Sequence, residues 1–329
     1  SYPGGLVLFT NKNRGGKTSQ TGGNCRAPVG SAREWVDCNM VFDGVNIQIN
    51  LETDNVFRIV AANNFVVINS IINQAGGAVF YDLGVHGRYI ANSRITNAGR
   101  GGSTIDDYTG GGGGSIPARY RGNSFWIGNL YESTGDDAMG NVFATVPAWS
   151  ARTFSVALGN TVRYTTHATG VKFGVVNGLS SDFYVAHNSL ERLNGAGIHI
   201  RQNSTSPVNA DTNVVIDNNT IVRSGYMYYE GTRYYDFDTT SWVEHSQFDV
   251  NDPSGSVYNS DLIIAALTIR TIHGSGISVG NVAITNNHFW NGTSYTIYND
   301  NSVLSLSGNT YVNTSCESGG RPSCGTQDL

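Results

Sequence analysis

The chain has 329 residues, of which 41 are glycine and 7 proline; 39% are hydrophobic and only 14% charged. A net charge of −5 with that much apolar content excludes a disordered chain, and Asp+Glu (25) in excess of Lys+Arg (20) argues against a nucleic-acid partner. The residues used most freely are Gly, Asn, Thr, Ser, Val, Ile and Tyr, with lysine confined to Lys12, Lys17 and Lys172, which is a β rather than a helical composition.

The first segment, Ser1 to about Val45, reads as an irregular N-terminal cap. It begins without a basic, apolar leader, so any signal peptide is expected to be already removed or never present. Cys25 with Cys38 here, and Cys316 with Cys324 near the other end, suggest two short disulfide loops in an oxidising compartment; four cysteines allow three pairings, and this one is inferred from proximity. A metal reading of the cysteines is weaker, because neither pair has C-x-x-C spacing or a histidine cluster nearby, and no metal or other cofactor is expected. Sequons at Asn203, Asn291 and Asn313 are compatible with a secreted glycoprotein and equally with chance in an Asn/Thr-rich chain. No apolar run is long enough to span a bilayer.

From Asn69 onward a repeat organises the chain. Asn, then a small or polar residue, then a hydrophobic one recurs at Asn69, Asn92, Asn123, Asn188, Asn219, Asn287 and Asn309, at intervals of 23, 31, 65, 31, 68 and 22 residues. Ser181–Ile198 superposes without a gap on Ser260–Ile277, which puts Leu267 at the Asn188 position of a further turn. Two insertions remain, about residues 144–180 and 225–259, and about 310–329 closes the chain.

Turns of about 22 residues with short alternating strands and an Asn at a corner are what a right-handed parallel β-helix requires. The predicted fold is therefore all-β, a single solenoid domain over residues 1–329. The asparagines are read as structural: stacked side chains hydrogen-bond in a ladder and tolerate the left-handed conformation of sharp corners. Propellers and leucine-rich solenoids fit less well, since the former need blades of about 40 residues and the latter leucine at their consensus positions.

Chemistry is sought on the outward ridges of such a coil. Glu132-Ser-Thr-Gly-Asp136-Asp137-Ala-Met139 places two adjacent carboxylates at a strand start in a chain poor in charge. Asp106-Asp107 precede them, with 30 residues from Asp107 to Asp137 against 31 from Asn92 to Asn123, so the two pairs are expected to stack on neighbouring rungs. Carboxylates so placed split their pKa values into an acid and a base. On adjacent rungs they can reach the roughly 6.5–9.5 Å of an inverting glycosidase. Aligning the turns on Gly102 and Gly135 instead would put Thr104 opposite Asp137 and lose the upstream acid.

Ser133-Thr-Gly-Asp136-Asp137-Ala-Met139 resembles the Gly-Asp-Asp signature of the polygalacturonase-type β-helix glycoside hydrolases, a group similar to dextranases, α-1,3-glucanases and β-helix α-1,3-galactosidases. The resemblance, strong over some 40 residues of this sequence, implies an inverting site of Asp136, Asp137 and an upstream acid, Asp106 or Asp107. Gly274-Ser-Gly-Ile-Ser-Val-Gly280 has the shape of that family's Gly-His-Gly motif without the histidine, and no Arg-x-Lys follows. The substrate implied is thus a neutral poly- or oligosaccharide.

His199 and Arg201 alternate to one face and can contact sugar hydroxyls, or simply line a solvated ridge. The second insertion carries Tyr228, Tyr229, Tyr234 and Trp242, rings suited to walling a glycan groove, or to folding onto the coil or a neighbouring molecule. Three functions stand: an extracellular glycoside hydrolase, a non-catalytic β-helix subunit that self-associates as an adhesin or filament, and a polysaccharide lyase. For the last, a lysine base is disfavoured because no lysine falls on the repeat near Asp136, while Arg201 keeps an arginine version open.

Overall fold

The computed structural model describes residues 5–10, 39–48, 55–73, 79–98, 103–107, 123–135, 137–143, 153–165, 169–175, 181–193, 195–202, 213–224, 233–236, 241–244, 265–271, 279–290, 295–299 and 303–312. Within these the chain is a parallel β-helix with no helix at all. Its three sheets, here A, B and C, hold ten, nine and six strands, and every pairing in them is parallel. A complete rung runs through A, B and C in turn: Ser124–Ile127, Leu130–Thr134 and Met139–Phe143, for example, followed by Thr153–Leu158, Thr161–Thr165 and Val171–Val175. Alternation along each strand sends one set of side chains inward. The core is therefore a column of stacked layers, Phe57 on Phe80 at 5.3 Å and Phe173 on Phe183 at 5.2 Å among them.

The corner between sheets A and B explains the asparagine repeat, and it contains two adjacent columns rather than one. The first residue of each corner has positive φ: Gly44, Asn69, Asn92, Gly128, Gly159, His187, Asn218, Asn286 and Gly308. Gly and Asn dominate because the left-handed region costs them least. The second residue is buried and forms the ladder, Ser70, Ser93, Asn129, Asn160, Asn188, Asn219, Asn287 and Asn309. In the asparagine stretch each amide oxygen accepts the backbone N–H and the side-chain amide of the preceding rung. Thus Asn160 N and Nδ2 reach Asn188 Oδ1 at 2.9 and 3.0 Å, while Asn188 Nδ2 donates to Ala157 O at 2.8 Å.

Three sequence expectations are corrected by this register. Asn69 and Asn92 sit in the left-handed column and Asn123 begins a sheet A rung, so Asn129 and Asn160 are the missing ladder members. Thr153–Leu158, Thr161–Thr165 and Val171–Val175, inside the stretch expected to be the first insertion, form a complete rung whose Asn160 lies 31 residues after Asn129 and 28 before Asn188. Leu267 pairs with Ile198 in sheet C and has no kinship with Asn188; the gap-free superposition matched two apolar alternations belonging to different sheets.

The coil also starts within the stretch read as an irregular cap. Gly5–Thr10 and Asn39–Asp43 both pair with the long strand Asn55–Ile68, and Asn46–Gln48 opens sheet B. The second insertion does interrupt a rung, between Thr220–Ser224 and Ala265–Thr271, and carries an antiparallel pair, Arg233–Asp236 with Ser241–Glu244. Among the described residues no helix is long and apolar enough to cross a membrane. All four cysteines and the three sequons lie outside the described residues.

The two corner columns should respond differently to substitution. Asn188→Ala removes the acceptor of a buried N–H and three side-chain amide hydrogen bonds, and is expected to destabilise by about 3 kcal/mol, since each orphaned buried group costs about 1–3 kcal/mol. Asn218→Gly, one residue before a ladder position and exposed, is expected to change stability by less than about 1 kcal/mol. Chemical denaturation of both variants measures the contrast.

Candidate functional site

Sheet C and the corner leading into it hold the ionisable cluster of the described structure. The corner is built from small residues on successive rungs: Ala138 N donates to Thr169 O, Gly170 N to Ala196 O, and Val171 N to Gly197 O. A Cβ on Gly197 would lie 2.7 Å from Ile221 Cγ2 and 3.0 Å from Ala266 O, so this approach requires glycine. Close stacking here brings Asp137 directly beneath Thr169, two residues ahead of the paired strand starts Met139 and Val171.

Asp137 is 4% exposed and its carboxylate is fully engaged. Oδ1 accepts from Thr169 N at 2.9 Å and from Thr169 Oγ1 at 2.6 Å, and Oδ2 meets Lys172 Nζ at 3.1 Å. Burial alone would raise the pKa of this carboxyl. The Lys172 ammonium and the Thr169 hydrogen bonds outweigh that and hold it below its ordinary value. Asp137 is thus an ionised structural anchor at neutral pH, and the expectation of a carboxyl raised toward neutrality does not apply to it.

Lys172 overturns another expectation, that no lysine stands on the repeat near Asp136. It pairs with Gly140 on one side and His199 on the other in sheet C. Both the lysine and Thr169 were hidden because residues 144–180 were read as an insertion; the signal that reveals them is Asn160, one ladder interval beyond Asn129. His199 has the outward parity of its strand, between the buried Ile198 and Ile200, yet is itself only 2% exposed. The outer face of sheet C is therefore covered at this rung, and His199 is no part of a solvated ridge.

The upstream pair is not beside Asp137. The register sets Asp106 against Val142 and Asp107 against Phe143, with Thr104 against Gly140. Neither the ladder alignment nor the glycine alignment of the sequence matches this offset of 36 residues. Asp106 and Asp107 lie five and six residues farther along the strand direction, roughly 15–20 Å of extended chain from the level of Asp137. Four aspartates side by side on neighbouring rungs is thereby corrected: the interval was measured from Asn123, which is not a ladder residue.

Asp136, Tyr228 and Tyr229 lie outside the described residues. Arg201 pairs with Gly174 and Arg270, so two arginines occupy one column of sheet C. Tyr234 is paired with Val243 in the hairpin, and it is Tyr235 that is paired with Trp242.

No protein-family model matches this chain, and no curated protein matches it either.

Replacing Asp137 tests the ion pair. Asp137→Asn removes the Asp137 charge from its ion pair with Lys172 and is expected to destabilise by about 3 kcal/mol, with part recovered in Asp137→Asn/Lys172→Met. Because folding depresses the Asp137 pKa, the wild-type contribution is present above about pH 4 and lost as pH falls through the folded value. Urea unfolding at pH 7 and below about pH 4 is expected to show the wild-type advantage over Asp137→Asn shrinking in acid.

Proposed function

We propose that the protein is an extracellular glycoside hydrolase acting on a neutral poly- or oligosaccharide at the corner that leads into sheet C. The observation that supports this reading is the cluster Asp137, Lys172 and His199, ionisable groups on three successive rungs, buried or nearly so, beginning at the residue that follows Asp136 in the chain. Charged groups withdrawn from water with specific partners are the usual surroundings of a reacting centre.

In this reading Asp136 is the proton-transferring carboxyl and Asp137 is a positioning residue, holding Lys172 and the strand start in place. The register sets Asp106 and Asp107 five and six residues beyond the level of Asp137, so this reading assigns them no role and proposes no stereochemical outcome. Lys172 Nζ is engaged by Asp137 Oδ2 at 3.1 Å, which does not suit the base of a lyase.

A second reading is favoured by the engagement of Asp137 itself. A carboxylate consumed by Thr169 and Lys172 is what a non-catalytic β-helix subunit would also use to fasten its corner.

Reducing-end release from dextran, α-1,3-glucan and galactan separates the two. The hydrolase reading expects turnover of at least one of them by wild type, a loss of about 10²–10⁴-fold in Asp136→Asn, and near-wild-type rates in Asp106→Asn. Turnover that survives Asp136→Asn, or a folded wild type inert on all three, sinks it.

A further inference from the structure

We infer that the outer face of sheet A carries a separate binding surface for a neutral glycan, centred on Tyr89. This face belongs to a different sheet from the two that meet at the Asp137 corner, and its test reads retention rather than bond cleavage, so it stands or falls independently of the hydrolase proposal.

The outward column of sheet A passes through Val41, Val66, Tyr89 and Phe125 on four successive rungs. Val41 is 62% and Tyr89 39% exposed, and Phe154, one rung beyond Phe125, is 39% exposed. The three rings form a diagonal row, with Tyr89 to Phe125 and Phe125 to Phe154 both at 6.2 Å between centroids. Nothing in the core explains that row, since the inward residues of the same strands, Phe65, Ile90 and Trp126, are the ones that pack the interior.

Beside the row lies an open cavity of about 350 Å³, lined by Asn64, Val66, Gly87, Tyr89, Asn123 and Phe125. Gly87 makes it. Asn64 pairs with Gly87, and Asn123 follows on the next rung, its carbonyl accepting Arg88 N at 3.0 Å. Where a side chain would stand there is a notch with an asparagine on either side and a tyrosine along one edge. Among the described lining residues the one that is charged, Arg88, is buried and sends Nη1 to Ser124 Oγ at 3.3 Å. The described lining thus offers two asparagine amides and two aromatic rings and no exposed charge.

Those three properties select the ligand. A pyranose presents an apolar C–H face to an aromatic ring and equatorial hydroxyls to amides at the rim, and it carries no charge to match. A polyanion would meet no exposed cation among the lining residues. A row of rings stepping across successive rungs suits an extended chain of sugar units better than a single one.

Affinity electrophoresis in gels containing dextran, β-1,4-galactan or arabinoxylan, with Tyr89→Ala, Gly87→Gln and Asp136→Asn, tests this. Tyr89 is exposed, so its truncation is expected to leave the fold, checked by circular dichroism, intact. The expected result is retardation of wild type and Asp136→Asn by at least one glycan, weakened about fivefold or more in Tyr89→Ala and Gly87→Gln. Equal retardation of all four proteins, or no retardation of wild type in any gel, overturns the proposal. A wild type that instead dimerises in sedimentation velocity, with Tyr89→Ala monomeric, assigns the face to a second copy of the chain and overturns it as well.

Discussion

Everything in this molecule depends on successive rungs meeting in strict register at the corner between sheets A and B. A parallel coil stacks each residue over its equivalent at about 4.8 Å, and a corner must satisfy backbone groups that no strand pairing reaches. The Asn129 to Asn309 ladder does this with a side chain that is donor and acceptor at once, so each amide binds the rung on either side. A serine serves at Ser70 and Ser93, where a hydroxyl still accepts or donates, but with fewer bonds to offer. The left-handed residue just before each ladder member supplies the sharp change of direction. The two columns are separate solutions to separate problems that happen to favour the same amino acid.

The same logic recurs at the corner into sheet C with different chemistry. There a single carboxylate, Asp137, takes the place that an amide holds elsewhere, accepting a backbone N–H from the neighbouring rung. A carboxylate cannot donate, so it does not propagate a ladder; it ends in an ion pair with Lys172. That costs desolvation of two charges and returns a well-defined geometry, a trade that is rarely favourable for stability alone. Its position, adjoining Asp136 in the chain, is what makes the corner into sheet C the candidate reacting site. The rings around Tyr89 make sheet A the candidate holding face.

The outer surfaces of the three sheets differ in kind. Sheet B carries alternating charges, Arg94 with Glu132 at 3.4 Å and Arg163 with Glu191 at 4.0 Å, exposed pairs that mainly keep the surface soluble. Its strands also bend at a second column of positive φ, Asn97, Ser133, Tyr164, Arg192 and Arg223, where Arg192 donates to Tyr164 Oη at 2.8 Å. Sheet A is apolar and aromatic over its first rungs. Sheet C buries its polar groups around Asp137 and His199. One repeating backbone thus presents three unlike ridges, because outward positions are free of the packing demands that make the inward ones uniform.

The amino-acid sequence by itself determined the solenoid, the asparagine corners and the candidate segment at Asp136-Asp137, because each is written in local composition and short-range alternation. Register was not legible. An Asn in the left-handed column and an Asn in the ladder column look alike in sequence and differ by one residue in space, so counting from Asn123 misplaced Asp106 and Asp107 and concealed the rung that holds Asn160, Thr169 and Lys172. Only the tertiary structure decided which residues lie over one another. Segments of unequal length intervene between rungs, and the pairing of strands, not the count of residues, fixes the alignment.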